Sequence, residues 1–252
     1  MAALKILFSN LGYCRGISGR LAEHVLYAYR HFYCSPRIQQ QALGLLNKLI
    51  ANEKPDLCCL VEIDRGSLGT ARFNQLQMLV NETYPFFEIE NKYARGSFLR
   101  SFAMTSGKSN AFIAKKKYPF EKMYFTRGVK RLIYKITVEP NLTLFFAHFS
   151  LKKSIRMRQL VEMRDLAQKA PGDCILLGDF NVLTGLQEIA PILDEGRLVL
   201  LNRDDQPTFF FHRHKRILDL CLVSRGIENR CRLNILPQPF SDHAALVLEV
   251  DA

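Results

Sequence analysis

The sequence contains no Cys-x-x-Cys pair, and its seven cysteines are an odd number. Four of them lie inside apolar runs, where a cysteine behaves as a small hydrophobic residue; these are Cys58, Cys59, Cys174 and Cys221. No Cys/His spacing indicates a zinc site. The cysteine pattern therefore favours a reducing compartment over a disulfide framework.

Long hydrophobic segments are also missing. No run approaches the roughly 20 apolar residues of a membrane helix, and the first residues lack the basic region and apolar stretch of a secretory signal. We therefore expect no transmembrane segment and a cytoplasmic protein. Repeats and low-complexity linkers are absent too, so residues 1–252 are expected to form a single domain. Hydrophobic residues make up 48% of the chain, which is enough for a substantial core.

Acidic residues are scarce in one part of the chain. Residues 91–135 hold twelve lysines and arginines against a single acid, Glu121, whereas the remainder is close to neutral. This window therefore accounts for the net charge of +11. A concentrated positive field favours an anionic partner.

The hydrophobic pattern predicts alternating strands and helices. Apolar residues at helical spacing predict helices over 19–33, from Ser35-Pro36 to Pro55, over 71–80 and over 154–170. Short apolar or alternating runs predict strands over 5–8, 56–61, 86–89, 111–114, 131–138, 142–147, 174–177, 217–223 and 244–250. Residues 132–149 indicate a hairpin, so a mixed sheet system with helices outside is expected.

Polar side chains stand at or near the ends of six of these strands. They are Asn10, Glu62, His148, Asp179 with Asn181, Asp219, and Asp242 with His243. Each has an ordinary alternative: Glu62 as a surface strand end, His148 as a hydrogen-bonded core histidine, and Asp242 as a turn residue. Asp219 is harder to dismiss, because an acid inside an apolar strand is costly unless it is paired. Carboxylate and amide oxygens together suit Mg²⁺ or Mn²⁺ and a phosphate ester.

The motifs Gly-Asp-Phe-Asn at 178–181 and Ser-Asp-His at 241–243, with Ile-Leu-Asp at 217–219, resemble those of the endonuclease/exonuclease/phosphatase superfamily. The resemblance implies an α/β four-layer α/β/β/α sandwich of two packed mixed sheets with helices outside. It also implies Mg²⁺-dependent cleavage of phosphate esters, with Mn²⁺ as a substitute. By resemblance, the metal ligands are Glu62, Asn10 and Asp242. The catalytic residues are His148, Asp179, Asn181, Asp219 and His243, and the proton roles of Asp179 and His243 are assigned jointly.

Two positions depart from the pattern of abasic-site endonucleases. Gly12 stands where those enzymes usually have an acid, and Val61 precedes Glu62 where they commonly have glutamine. The excursion between Asn10 and Ser35 is also long, and its Arg15 is a candidate contact for an anion. These departures weaken an assignment to DNA repair.

Basic and aromatic residues interleave in the 91–135 window and again at Phe209–Arg216. This composition suits a single-stranded nucleic acid, with phosphates held by lysine and arginine and bases stacked on rings. The candidate substrate contacts are Arg15, Asn110, Arg131, His212 and Arg216, and the run Lys115–Lys117 is an expected contact for phosphates. We therefore expect a phosphodiesterase or nuclease that uses a Mg²⁺-activated water. A phosphoinositide phosphatase or sphingomyelinase-like enzyme, and a catalytically silent anion-binding module, remain the alternatives.

Overall fold

The computed structural model describes residues 3–193 and 196–251, in which strands dominate. The strands are β1 (Leu4–Asn10), β2 (Leu57–Asp64), β3 (Phe86–Asn91), β4 (Lys108–Ala114), β5 (Phe120–Tyr124), β6 (Leu132–Glu139), β7 (Leu142–His148), β8 (Asp173–Asp179), β9 (Leu198–Leu200), β10 (Phe209–Phe211), β11 (His214–Arg216), β12 (Asp219–Ser224), β13 (Cys231–Leu236) and β14 (Ala245–Val250). The α-helices are α1 (Leu21–Leu26), α2 (Pro36–Glu53), α3 (Phe98–Ser101), α4 (Lys153–Gln168) and α5 (Ala190–Leu193).

Twelve of these strands form two six-stranded mixed sheets. The first has the order β13-β14-β1-β2-β4-β3 and the second the order β5-β6-β7-β8-β12-β9, while β10 and β11 form a separate hairpin. Each sheet has one parallel pair near its centre, β1 with β2 and β7 with β8, and antiparallel neighbours elsewhere. In open α/β sheets, ligands bind at the carboxyl ends of the parallel strands. The carboxyl ends of these two pairs are therefore the place to look for a site.

The two sheets pack face to face with a helix on each outer face. Between the sheets lies a core of side chains such as Phe8, Tyr134 and Phe146. On the outside of the first sheet α2 buries Leu43 and Leu46, and on the outside of the second α4 buries Leu160 and Met163. The expected four-layer α/β/β/α sandwich is confirmed.

The prediction of a single helix over residues 19–33 is wrong. The chain forms the short α1 and a 3-10 turn at Ala28–His31, and neither has a buried residue. Val25 is 68% exposed. The segment is held at Gly19, whose carbonyl accepts from the His212 N–H at 2.7 Å, so it lies against the β10–β11 hairpin and not against a sheet. Helical spacing of apolar residues did not imply burial here.

The helix predicted over residues 71–80 is reduced to one 3-10 turn at Gln75–Met78. Ala71 and Arg72 both have positive φ angles, 54° and 56°, which a right-handed helix does not allow. The Asn74 side chain then caps the short turn by accepting from the Leu76 N–H at 3.2 Å. Leu76 and Leu79 are buried as predicted, but they are carried by a loop.

A buried ion pair beneath the second sheet fixes the two loops that follow β7 and β8. Arg156 on α4 donates through Nε to Glu188 at 3.1 Å and through Nη1 to the carbonyl oxygens of Ser150 and Leu151. Glu188 also accepts from the N–H and hydroxyl of Thr184 at 2.7 and 2.6 Å. One ion pair therefore holds the backbone just beyond His148 and just beyond Asn181.

Replacing Glu188 by Gln should lower the free energy of unfolding by about 3–5 kcal/mol, because the Arg156 charge stays buried and loses its counter-ion. Arg156 is only 1% exposed, so water cannot take over that role. Urea unfolding followed by circular dichroism measures the difference.

The matched control is Asp205→Asn in the exposed Arg203–Asp205 pair, with an expected cost of about 0–1 kcal/mol.

The dependence of stability on acid pH gives a second check on the Arg156–Glu188 pair. Burial disfavours the Glu188 carboxylate, but the bonds from Thr184 and Arg156 outweigh burial and lower its pKa below the ordinary 4.5. This stabilisation is therefore present above pH 4.5 and is lost as the pH falls through the folded-state pKa. A difference between wild type and Glu188→Gln that persists unchanged in acid contradicts the assignment.

Candidate active site

The carboxylate of Asp179, at the end of β8, is the centre of a hydrogen-bond network between the two sheets. Its Oδ2 accepts from Asn10 Nδ2 at 3.0 Å and lies 3.2 Å from His148 Nε2. Its Oδ1 accepts from the Asn181 N–H at 3.1 Å. Asn10 belongs to the first sheet and the other residues to the second, so this one side chain joins the carboxyl ends of both parallel pairs.

An aspartate–histidine pair lies next to this network. Asp219 is directly opposite Asp179 in the β8–β12 register, and its Oδ2 is 2.6 Å from His243 Nδ1. The other ring nitrogen of His243 is 3.4 Å from Asn10 Nδ2. Ser241 fixes the turn that carries His243, because its hydroxyl donates to the Asn10 carbonyl at 2.9 Å and accepts from the His243 N–H at 3.2 Å.

Glu62 reaches the site through a distorted strand. The β2–β4 register shifts between Leu60 and Ile63, and Glu62 itself has a φ of 54°. Asn181 is similarly left-handed, with a φ of 53°. Positive φ at a non-glycine residue costs about 1–3 kcal/mol and persists only where the surrounding structure imposes it. Both distortions fall on predicted site residues, which is where such strain tends to collect.

Two lysines that the sequence did not single out also point at Glu62. Lys92 Nζ is 3.4 Å and Lys130 Nζ is 3.9 Å from Glu62 Oε1, and Lys130 also contacts His148 Nε2. A backbone bridge between Tyr93 and Lys130 brings the edges of the two sheets together at this point. Both lysines belong to the basic 91–135 window, but the window has no feature that separates them from its other ten basic residues.

Burial and neighbouring charges act against each other in this cluster. Burial disfavours the Asp179 carboxylate, but His148, His243 and Lys130 outweigh it and lower the pKa of Asp179 to about 2. At His148, burial and then Lys130 lower the pKa to about 4. Burial also opposes the charge on Glu62, yet Lys92 and Lys130 hold its pKa well below its usual range. At pH 7 both carboxylates are therefore ionised and His148 is neutral.

A small cavity of about 100 Å³ opens beside these residues, and Glu62, Asp242 and Arg15 line it. Burial raises the pKa of Asp242; the nearby His243 opposes this shift, and the Glu62 carboxylate adds to it. Two carboxylates that disfavour each other's charge at one cavity are suited to a divalent cation. Ligand atoms of Asp179, Asp219 and His243 also lie within 4.8 Å of one another. Those three side chains, however, are already engaged by Asn10, Asn181 and one another.

The predicted substrate contacts are only partly brought together. Arg15 lines the cavity. Asn110 is buried on β4 opposite the bulge that carries Glu62, and its side-chain oxygen has no hydrogen-bond partner in the described structure. The Nε of Arg131 donates to the Phe125 carbonyl, and its neighbour Lys130 is the residue next to Glu62, so Arg131 as a substrate contact stays a prediction. Lys115–Lys117 follow Ala114, which pairs with Leu57 at the end of β2 opposite Glu62, so the structure does not bring them to the site.

The β10–β11 hairpin lies beside the site and carries the remaining basic candidates. Phe209 forms a bridge with His243, and the Phe210 N–H donates to the Asp242 carbonyl at 2.8 Å. The hairpin therefore starts at the site and exposes a basic stretch, His212-Arg-His-Lys-Arg216. Arg216 also donates to the Leu183 carbonyl, in the loop that follows Asn181.

Two packed mixed sheets with outer helices, and acids and histidines at the strand ends between them, define a phosphoesterase-type α/β sandwich. The chain belongs to the Endonuclease/Exonuclease/phosphatase family, whose family model matches residues 39–243. Members of this family hydrolyse phosphate esters and generally use divalent metal ions. No curated protein sequence matches the chain. No helix among residues 3–193 and 196–251 is long and apolar enough to cross a membrane.

Solved structures share the fold at low sequence identity. D. rerio TDP2 in complex with a single-strand DNA product is 16% identical, with a TM-score of 0.65 and coverage of 100% of both chains. An endonuclease/exonuclease/phosphatase from Beutenbergia cavernae is 14% identical, with a TM-score of 0.68 over 100% of this chain and 72% of that one. The endonuclease domain of TRAS1, a telomere-specific non-LTR retrotransposon, is 13% identical, with a TM-score of 0.57 over 99% of both.

Asp219→Asn should lower the pKa of His243. Burial disfavours the imidazolium, but the Asp219 carboxylate outweighs burial and raises the pKa of His243 above its ordinary 6.5. Loss of an opposite charge in direct contact should shift it down by about 1–3 pH units. An NMR titration of the metal-free protein measures this, with Asp205→Asn as a remote control. A His243 pKa that is equal in wild type and Asp219→Asn removes the pair from the site chemistry.

Proposed function

We propose that this chain is a metal-dependent phosphodiesterase that hydrolyses nucleic acid, with single strands as the favoured substrate. The observation that carries the proposal is the hydrogen-bond network around Asp179, at the carboxyl ends of the two parallel strand pairs, which we call the mouth of the sandwich. Side chains from the ends of separate strands meet there within hydrogen-bond distance, and the basic hairpin lies directly beside them. No member of the expected acid and histidine set is missing, which argues against a catalytically silent anion-binding module.

The metal, Mg²⁺ with Mn²⁺ as a substitute, is assigned to Glu62, Asn10 and Asp242. This assignment rests on the two carboxylates at the small cavity, which disfavour each other's charge, and on the oxygen-only chemistry of the three side chains. A divalent cation bound there supplies a Lewis acid for a phosphoryl oxygen. Lys130 beside Glu62 adds positive charge suited to the negative charge of a phosphoryl-transfer transition state, whereas burial lowers the pKa of Lys92 to about 7.

Asp179 and His243 are assigned to the proton transfers. Asp179 is ionised and buried, so it is available to take a proton from water and to return it to the leaving oxygen. His243 is protonated through its contact with Asp219 and can donate to a phosphate oxygen from Nε2. Asn181 Nδ2 donates to the Phe149 carbonyl at 3.0 Å, which fixes the amide next to Asp179. Neutral His148 supports the Asp179 carboxylate from the other side.

Nucleic acid is favoured over other phosphate esters because of the basic hairpin and the cations around the mouth. Five successive residues, His212 to Arg216, are exposed at the rim and can follow several phosphates of one strand. D. rerio TDP2, which shares this fold, has been solved with a single-strand DNA product. A phosphoinositide or other phospholipid is the second candidate substrate, because α1 beside the hairpin exposes the aliphatic residues Val25 and Leu26.

Asp179→Asn should keep the fold and reduce hydrolysis of a single-stranded oligonucleotide about 10²–10⁴-fold, because it removes a positioned acid/base. The assay uses Mg²⁺, and its activity should disappear with a chelator and return with added Mg²⁺. Asp205→Asn is the matched control and should retain full activity. Turnover by Asp179→Asn equal to that of wild type contradicts the role of Asp179, and activity that survives chelation contradicts the metal.

Binding of a fluorescent single-stranded oligonucleotide to Asp179→Asn should weaken steeply with salt, with a log–log slope of about −0.7 for each phosphate contact. Adding Arg213→Ala and Lys215→Ala on the hairpin should make the slope less steep by about 0.7 for each lost contact. The control pair, Lys116→Ala with Lys117→Ala, lies at the far end of β4 and should leave the slope unchanged.

The lipid alternative is tested in the same series. Oligonucleotide binding that is weak, insensitive to salt and indifferent to the hairpin substitutions contradicts the nuclease. Rapid release of inorganic phosphate from phosphoinositide vesicles by the wild-type protein, together with that result, supports the lipid phosphatase in its place.

A further inference from the structure

A second cavity of about 310 Å³ opens next to the candidate site, between the excursion that joins β1 to α2 and the segments that follow β2 and lead into β4. Tyr13, Arg15, Phe32, Phe102, Met104 and Lys108 form its principal walls. Its volume is at the lower end of the range for small-ligand pockets, so it admits one compact group and not a duplex.

The cavity adjoins the candidate site. Arg15 and His31 line both cavities. Tyr13 forms a second link, because its hydroxyl accepts from Lys92, whose Nζ is 3.4 Å from Glu62. A ligand whose phosphate lies at Glu62 therefore has a neighbouring group within reach of this second cavity.

The ring of Tyr13 is held in a fixed place in the wall of the larger cavity. Gly12, Tyr13 and Cys14 all have positive φ, from 50° to 57°, which makes one left-handed turn directly after β1. The Tyr13 carbonyl accepts from the buried Gln75 side chain at 2.8 Å, and the Cys14 N–H donates to the Leu11 carbonyl at 2.8 Å. These bonds impose a strained backbone that places a buried aromatic ring in the wall of this cavity.

The walls combine aromatic faces with positive charge. The Arg15 guanidinium and Lys108 Nζ lie 4.7 and 5.0 Å from the centre of the Tyr13 ring. At the mouth, Phe32 is 73% exposed and Phe102 is 43% exposed. Exposed rings with a thioether suit a flat aromatic group, and cations beside them suit the phosphates on either side of it. A nucleobase attached to a phosphodiester strand has both features.

We propose that this cavity receives one unpaired nucleobase next to the scissile phosphate, and that the protein therefore selects nucleotides which have left the duplex. The inference rests on the proposed nuclease function and extends it to the choice of substrate. A paired base is stacked and hydrogen-bonded within a duplex that does not fit a cavity of this size, so entry requires a single strand or a flipped nucleotide. Phe32 and Phe102 are then specificity residues, without a part in the bond cleavage.

The test is a scan in which a single abasic residue is moved along a single-stranded oligonucleotide around the cleavage position. For the wild-type protein with Mg²⁺, kcat/KM should fall about 10- to 100-fold when the abasic residue occupies one particular position, the size of a lost base–aromatic stack. At other positions the effect should be small. The double variant Phe32→Ala/Phe102→Ala should cleave the intact strand more slowly by a similar factor, and it should no longer distinguish the two strands.

The matched control is Phe87→Ala, an exposed phenylalanine on β3 at the end of the first sheet away from the site, which should keep the wild-type sensitivity. Thermal melting confirms that the double variant remains folded. Cleavage that is equally sensitive to an abasic residue at every position, or a sensitivity that survives the double substitution, overturns the base pocket and leaves the nuclease standing. If no oligonucleotide is cleaved, the proposed function fails and the pocket assignment with it. Phosphate release from phosphoinositide vesicles that the double variant loses would assign the cavity to a lipid headgroup.

Discussion

The buried carboxylate of Asp179 is the constraint on which the site depends. An ionised acid in the interior costs several kcal/mol unless donors and cations surround it. Asn10 from one sheet, with His148 and the Asn181 N–H from the other, meet this need. The same contacts fix the spacing between the two sheets at their carboxyl ends. The charge that we assign to the proton transfers thus also joins the two halves of the sandwich.

The rest of the site follows from how the strand ends are joined around that carboxylate. The bulge in β2 turns Glu62 into the mouth, and the bridge between Tyr93 and Lys130 closes the two sheet edges beside it. The bridge brings two lysines next to Glu62, which lowers the pKa of that residue against the effect of burial. Below the second sheet, the Arg156–Glu188 pair holds the loops after β7 and β8. The bulge in β2, the lysines beside Glu62 and the anchored loops therefore all help to position the residues of the site.

Membership of the family gives the phosphoester chemistry, whereas in our proposal the substrate is chosen by segments outside the sheets. The excursion between β1 and α2 supplies Tyr13, Arg15 and Phe32, and the β10–β11 hairpin supplies the basic rim. These segments touch each other through the His212–Gly19 hydrogen bond and through the His24 and Phe211 rings, whose centroids are 4.8 Å apart. Both surround one mouth, so substrate preference can change there without disturbing the core.

The sequence by itself determined a mixed sheet system with outer helices, its main strands and the set of acids, amides and histidines at the strand ends. The resemblance carried by those end residues implied the four-layer sandwich. Unbroken apolar runs that end in polar residues specify a buried strand and its end locally, as at Asp179 and Glu62. Tertiary structure alone decided the rest. It exposed the apolar face of α1, replaced the 71–80 helix by a loop, and selected Lys130 over Arg131 and over Lys115–Lys117. The reason is physical: which lysine reaches Glu62, and which apolar face is covered, depends on contacts between residues far apart in the chain, which local periodicity does not record.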